Sequence, residues 1–476
     1  MKSIMTVDGN PGYRVPKTAG EKYVGRRRYL LLILLLALAS RAVLLSIAWR
    51  SDSAALTPDS AGYLTAAASL STSGTFQRDG RPEIFRTPGY PLFLAACGVT
   101  GPLGYGIAQI VQVLFDVLLV YLTYRLAARL INPTAALLAA ALQAVSVPAM
   151  LASVHILSDG LFSLIITATV VMLVRHLREK KWWLLVASAV LSAGAAYVRP
   201  VGFIVVPIVA LVLLGAKRLF SAVSYLLVFA VLAAPWFARN QRVAGYAGFS
   251  SFADYNLLYS EAADVRANIA GTSVERARQE LHEIYEKRLQ LSQTEPGSAE
   301  AIRLQGRIGR EILRANPVTW AFVHLKTSGA SLLPASTGIL EMYGVTSGGR
   351  GALSVLHTRG PLAAAKYYFD SNPSAIVLIL PEALMLIAKY LACLVFVLLY
   401  PLCFRKLGWD SNGLAIVLLT TAAFVVVAGP AATPRFRVPV EPLLNIAAAA
   451  GAILLTQYKQ IRSASVRPSQ ASVAVI

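Results

Sequence analysis

The chain has 476 residues, 56% of them hydrophobic and only 14% charged, with a mean hydropathy of +0.59. A soluble chain carries about 25% charged residues, so the composition excludes a soluble globular protein and indicates an all-α polytopic membrane protein. The net charge of +20 would suit nucleic acid if clustered, but lysines and arginines stand at alternate ends of apolar runs, which is the positive-inside pattern.

The first apolar run, 29–49, is long enough to span and reads as an anchor, not a cleaved signal. The basic tail before it, 1–28, holds Lys2, Arg14, Lys17, Lys22, Arg26, Arg27 and Arg28 and is expected in the cytoplasm. Further spans are expected at 106–124, 134–150, 156–174, two within 182–214, 219–237, 376–403, 412–429 and 438–457. That makes about ten transmembrane helices, with 11–13 as the upper range, and puts every basic cluster where the positive-inside rule wants it. Both termini then face the cytoplasm. The expected regions are the tail 1–28, a transmembrane module 29–238 including outer loop 50–105, an extracytoplasmic or interfacial region 239–375, C-terminal helices 376–457 and a second tail 458–476.

Arg41 in the first run and Asp116 in the second lie at matching depths, roughly 12 and 15 Å below their outer ends at 1.5 Å per residue. A lone charge there is costly, so a salt bridge between them is expected.

The first outer loop, 50–105, shows helical patterning at 61–70, closed by Ser71-Thr72-Ser73-Gly74. Asp59 stands where it can cap that helix or accept a proton. Arg78, Arg81 and Arg86 follow, and a guanidinium can hold a phosphate bidentately. The prolines of Arg86-Thr87-Pro88-Gly89-Tyr90-Pro91 stiffen the return to the membrane. Ser158-Asp159-Gly160 is a helix start as well as a source of an outward acid. Arg199, before Pro200, either meets a phosphate or ties down hairpin carbonyls.

In the large outer loop, 273–291 and 298–315 alternate charges as solvated helices do. The stretch 317–334 carries His324 and Lys326, the lysine alone costing roughly 2.5–3.5 kcal/mol at a helix centre, so it is expected at the interface. Ser347-Gly348-Gly349-Arg350-Gly351 follows no strand and reads as a linker or a closing loop. Arg435-Phe436-Arg437 and Glu441 face the same side as Asp59. Cys97 lies at the end of the first outer loop and Cys393 and Cys403 in the 376–403 span, without disulfide or zinc spacing, and the five histidines are scattered. The absence of an Asn-X-Ser/Thr sequon in the outer loops leans toward a bacterial inner membrane.

Pro58-Asp59 through Tyr63 to Arg86-Thr87-Pro88-Gly89-Tyr90-Pro91-Leu92 resembles the first outer loop of the GT-C glycosyltransferases. The likeness is to the protein O-mannosyltransferases and lipid A aminoarabinose transferases in particular. His155-Ile156-Leu157-Ser158-Asp159, Tyr197-Val198-Arg199-Pro200-Val201-Gly202 and Pro235-Trp236-Phe237-Ala238-Arg239-Asn240 extend it over roughly 25–260. Ser60 stands where the mannosyltransferases carry a second acid, and Gly62 where the aminoarabinose transferases carry an arginine.

The resemblance implies a GT-C-like fold and sugar transfer from a polyprenyl-phosphate donor to an extracytoplasmic acceptor, with inversion at the anomeric carbon. Asp59 would be the base, Arg86 the donor-phosphate contact and Asp159 a second acid at the mouth. Arg81, Arg199, Arg435 and Arg437 are further phosphate candidates, and Tyr63, Tyr90 and Arg239 candidates for the substrate cavity. Partners would be the lipid-linked sugar, membrane lipids and the acceptor, with no nucleic acid. No cofactor is expected to be obligatory; a divalent cation bridging Asp59 and Asp159 stays open. The alternatives are a lipid-linked saccharide flippase and a surface-polysaccharide ligase or polymerase.

Overall fold

A computed structural model describes residues 19–101, 103–345, 352–369 and 372–466. The tail charges Lys2, Arg14 and Lys17 and the glycine-rich Ser347–Gly351 stretch lie outside the described residues. Among the described residues the protein is all-α apart from one two-stranded hairpin. Among the described residues six helices are long and apolar enough to cross a membrane: Arg26–Ala48, Gly106–Leu130, Asp159–Glu179, Leu219–Ala244, Ile376–Leu407 and Pro434–Gln457. A seventh candidate is a bent pair, Pro133–Ala144 and Val147–Val154, at 53° to each other. The sequence reads 134–150 as one straight span. The bend follows from Pro148 in the first turn of the second helix, which has no N–H to give to a continuous ladder. Shorter apolar helices occupy Trp182–Val198, Pro200–Gly215 and Ser411–Val427.

The expected pair at mid-depth forms. Arg41 Nε donates to Asp116 Oδ2 at 2.7 Å, and its other nitrogens donate to the carbonyls of Ala144 and Gln143, so the bend also leaves acceptors for the buried guanidinium. A second polar chain runs through the C-terminal helices. Lys389 donates to Glu441 and to Asn445, Asn445 donates to Gln143, and Arg437 Nε donates to Glu441 Oε2 at 2.7 Å. Each charge in it has a partner, as burial in hydrocarbon requires.

Two glycines of the quoted motifs sit where backbones nearly touch. A Cβ on Gly89 would lie 2.8 Å from the carbonyl carbon and oxygen of Tyr197, and one on Gly202 2.6 Å from the nitrogen of Ala196. The helix Gly89–Ala96 therefore docks on the end of Trp182–Val198, which brings the first outer loop to the Arg199 turn. Gly89→Ala is expected to cost about 1–3 kcal/mol through overpacking, read as a lower thermal midpoint of the purified protein.

Between the fourth and fifth long apolar helices, Val274–Leu291 and Ala299–Ala315 begin at Ser273 and Ser298, whose side chains accept from the N–H of Arg276 and Ala301. These helices are not simply solvated. They enclose a second core with Leu258, Leu281 and Ile308, and their charges pair across helices, Arg266 with Glu280 and Arg288 with Glu311. In the Pro317–Ser328 helix, His324 lies 3.0 Å from Glu261 and 2.9 Å from the carbonyl of Val426, which meets the cost of placing it near lipid.

Candidate active site

The site is built from four segments distant in sequence. Pro58 and Asp59 lead into the helix Ser60–Ser73, which ends at Gly74 with φ of 68°. Asp59 holds the capping position, but its side chain makes no capping bond. Its two oxygens go elsewhere: Arg86 Nη2 donates to Oδ1 at 2.7 Å, and Arg435 Nη2 donates to Oδ2. Arg435 comes from the proline-framed 3₁₀ turn Pro434–Val440.

Arg86 is held from several sides. Glu83, buried, accepts from the N–H of Phe85 at 2.6 Å and of Arg86 at 3.0 Å. The guanidinium lies 4.6 Å from the centroid of Tyr63 and 5.3 Å from that of Phe85, within cation–π range. An added Cβ on Gly62 would stand 3.4 Å from Arg86 Nε, so this glycine leaves the arginine its room. The sequence offered a signal for Glu83, an acid three residues before Arg86 in a tight loop, but it went unread. Arg78 lies on the same side, 3.3 Å from Glu83.

The second acid faces the first across Tyr63. The Tyr63 hydroxyl lies 3.0 Å from Ser158 Oγ and accepts from Arg86 Nη1 at 3.4 Å. Asp159, the first residue of Asp159–Glu179, is buried, and Arg199 donates to its Oδ1. Asp159 Oδ2 has no partner, and neither do the Nε atoms of Arg86 and Arg435. Asp159 also lies within electrostatic reach of Arg435. Three guanidiniums thus face two carboxylates, a surplus of one positive charge at the end of the Asp159–Glu179 helix.

Burial alone would raise the Asp59 carboxyl, but Arg435 and Arg86 outweigh it and hold it at about 2. It is therefore a carboxylate at any physiological pH, and a weak base while so held.

The remaining candidates stand apart. Arg437, two residues from Arg435, points the other way. It is fully buried, donates to the carbonyls of Ser331 and Leu333, and pairs with Glu441 and, at 3.8 Å, with Glu382. Arg81 is exposed in the hairpin Gln77–Pro82 and donates to the carbonyl of Pro296. Arg239 donates to the carbonyls of Glu83 and Phe76 and stacks on Trp236, which pins the loop to the Leu219–Ala244 helix. Tyr90 is core: fully buried, it packs edge-on to Tyr63 and donates to Gln112 at 2.6 Å. A cavity of about 320 Å³, lined by Asp264, Lys326 and Thr327 among others, holds none of the Asp59 cluster. Among the described residues no three of His, Cys, Asp or Glu gather as a metal site would need.

Residues 103–238 match the family model of dolichyl-phosphate-mannose-protein mannosyltransferases. That stretch contains Asp159 and Arg199 but not Asp59. No curated protein matches the sequence. Among solved structures, the apo oligosaccharyltransferase of Archaeoglobus fulgidus superposes with a TM-score of 0.51 at 13% identity, over 95% of this chain and 53% of that one. The same enzyme with zinc and sulfate gives 0.50 at 13% identity, over 92% and 50%. The fold is therefore like that of the archaeal oligosaccharyltransferase. ArnT of Cupriavidus metallidurans bound to undecaprenyl phosphate aligns over 93% of this chain and 81% of its own, with a TM-score of 0.38 and 13% identity. The chain spans about half the length of the archaeal oligosaccharyltransferase. The Asp59–Arg86–Arg435 cluster lies where the 50–105 segment meets the start of the last long helix, Pro434–Gln457.

Proposed function

We propose that the protein is an inverting glycosyltransferase that moves a sugar from a polyprenyl-phosphate donor to an acceptor on the extracytoplasmic face. The observation that carries this reading is the surplus of guanidinium around Asp59 and Asp159, with unpartnered nitrogens on Arg86 and Arg435. Such a cluster suits an anion with several oxygens. The acceptor oxygen attacks C1 and its proton passes to Asp59, while the C1–O bond breaks and its electron pair leaves on the phosphate. Arg86 and Arg435 stabilise the charge that grows there, so no general acid is needed. Arg199 keeps Asp159 oriented. Each of the two acids has a guanidinium partner, which supports chemistry without an obligatory cation.

This reading includes ten crossings: the six long helices, the bent pair as one, and the three shorter helices. Residues 1–28 and 458–476 then lie in the cytoplasm, 29–238 carries the reaction, 239–375 covers it outside, and 376–457 supplies Arg435. The membrane is a bacterial inner membrane.

A purified preparation given a radiolabelled polyprenyl-phosphate sugar tests it. Arg435→Gln is expected to lower kcat by about 10²–10³-fold, the loss of one charge-stabilising donor. The flippase reading draws on the buried charges Arg41–Asp116 and Lys389–Glu441. Vectorial lipid movement without bond cleavage would favour it.

A further inference from the structure

We propose that the donor phosphate and the Asp59 carboxylate compete for Arg86 and Arg435, so that Asp59 becomes a proton acceptor only once the donor is bound. This rests on the donor reading above and adds an order to it: donor first, acceptor deprotonation second.

The geometry carries the argument. A guanidinium grips a phosphate with two parallel N–H groups, and one such edge is formed by Nε and Nη2. On both arginines Nη2 is the atom committed to Asp59, one to each carboxylate oxygen, while Nε beside it is buried without a partner. Asp59 thus uses half of each fork. A phosphate that takes the whole edge satisfies the orphaned Nε atoms and contends with the carboxylate for Nη2. Leaving a buried donor unpaired costs about 1–3 kcal/mol, so the exchange removes a defect at each arginine.

The surroundings hold the arginines in place for the exchange. Arg86 keeps its stack on Tyr63 and the turn fixed by Glu83. Arg435 remains within reach of Asp159 and lies 5.6 Å from the ring of Phe436. Around Asp59 the charged groups are Arg86 from its own loop, Arg435 from the 3₁₀ turn, Arg78 paired with Glu83 on the hairpin, and Asp159 with Arg199 beyond Tyr63. His155 and Tyr63 are the other titratable neighbours, both coupled to Arg435. Asp59 freed from both guanidiniums and beside a phosphate is a stronger base, because the partners that held its charge now hold another anion. In the transfer step its carboxylate takes the acceptor proton, and the arginines hold the charge that the broken C1–O bond leaves on the lipid phosphate.

The test uses the full-length protein with undecaprenyl phosphate, which carries no sugar and cannot turn over. A water-soluble carbodiimide with an amine modifies a carboxyl whose oxygens are free faster than one held by two guanidiniums, and Asp59 labelling is read by mass spectrometry at mildly acidic pH. Bound lipid is measured in parallel with radiolabelled undecaprenyl phosphate. Saturation is expected to raise Asp59 labelling on the order of 10- to 100-fold, as a carboxyl held at about 2 returns toward its ordinary range. Undecaprenol should change nothing. Inorganic phosphate producing the rise at high concentration would support recognition through the headgroup alone; a rise with the lipid phosphate only would support headgroup and chain together. Arg435→Gln, and independently Arg86→Gln, should label at Asp59 without any lipid. Lipid phosphate that binds while labelling stays at its starting level overturns the competition and leaves the donor reading standing. Failure of the lipid phosphate to bind overturns both.

Discussion

Asp59→Asn is expected to lower kcat by about 10²–10⁴-fold, the range for losing a positioned base, without weakening donor binding. Asparagine keeps the size of the side chain but withdraws the negative charge that two guanidiniums now embrace. The donor affinity should therefore hold or improve, which separates this change from the loss of Arg86 or Arg435. The pair is about a third exposed on the Asp59 side, so solvent screening keeps its share of stability modest. The sign is fixed by the depressed carboxyl. Its contribution is complete above about 4, lost as pH falls toward about 2, and absent from the asparagine variant at every pH. Single-turnover transfer from a labelled polyprenyl-phosphate sugar, beside a donor-binding measurement, checks the prediction. Wild-type turnover by Asp59→Asn would remove Asp59 from the chemistry.

The six long apolar helices were legible because hydrocarbon demands runs of apolar residues with their charges at the ends. The Arg41–Asp116 pair followed from the cost of a lone buried charge. The starts of the two charged helices were legible to within a residue, at 273 and 298. Arg435 and Arg437 could not be told apart. They sit two residues apart in a 3₁₀ turn framed by Pro434 and Pro439, a segment with no periodic face, and only the fold sends one to Asp59 and the other to Glu441. Arg81, Tyr90 and Arg239 looked alike in the sequence as outer-face polar residues. The bond of Arg81 to Pro296, the hydrogen bond of Tyr90 to Gln112 and the stacking of Arg239 on Trp236 give them their separate tasks. Glu382 and Lys389 were hidden in an apolar run whose average hydropathy masked two charges, and their meaning depends on a helix more than 50 residues away.

That pairing sets the second large effect. Glu441→Gln is expected to destabilise the protein by about 3–5 kcal/mol, the usual result of removing one partner from a buried ion pair. Glu441 accepts from both Lys389 and Arg437, and all three are buried. Without its charge Lys389 is left with Asn445 and Arg437 with Glu382, which lies 3.8 Å away and is already engaged by the N–H groups of Ala335 and Ser336. Lys389→Met on the same chain removes the surplus cation and leaves Arg437 matched with Glu382. The double variant Lys389→Met/Glu441→Gln should therefore be more stable than Glu441→Gln alone, a coupling that only neighbours in one network show. Thermal unfolding of the three variants in one detergent measures it. If the two changes instead add, the charges act separately, and the 3₁₀ turn that presents Arg435 to Asp59 is held by packing and not by this network.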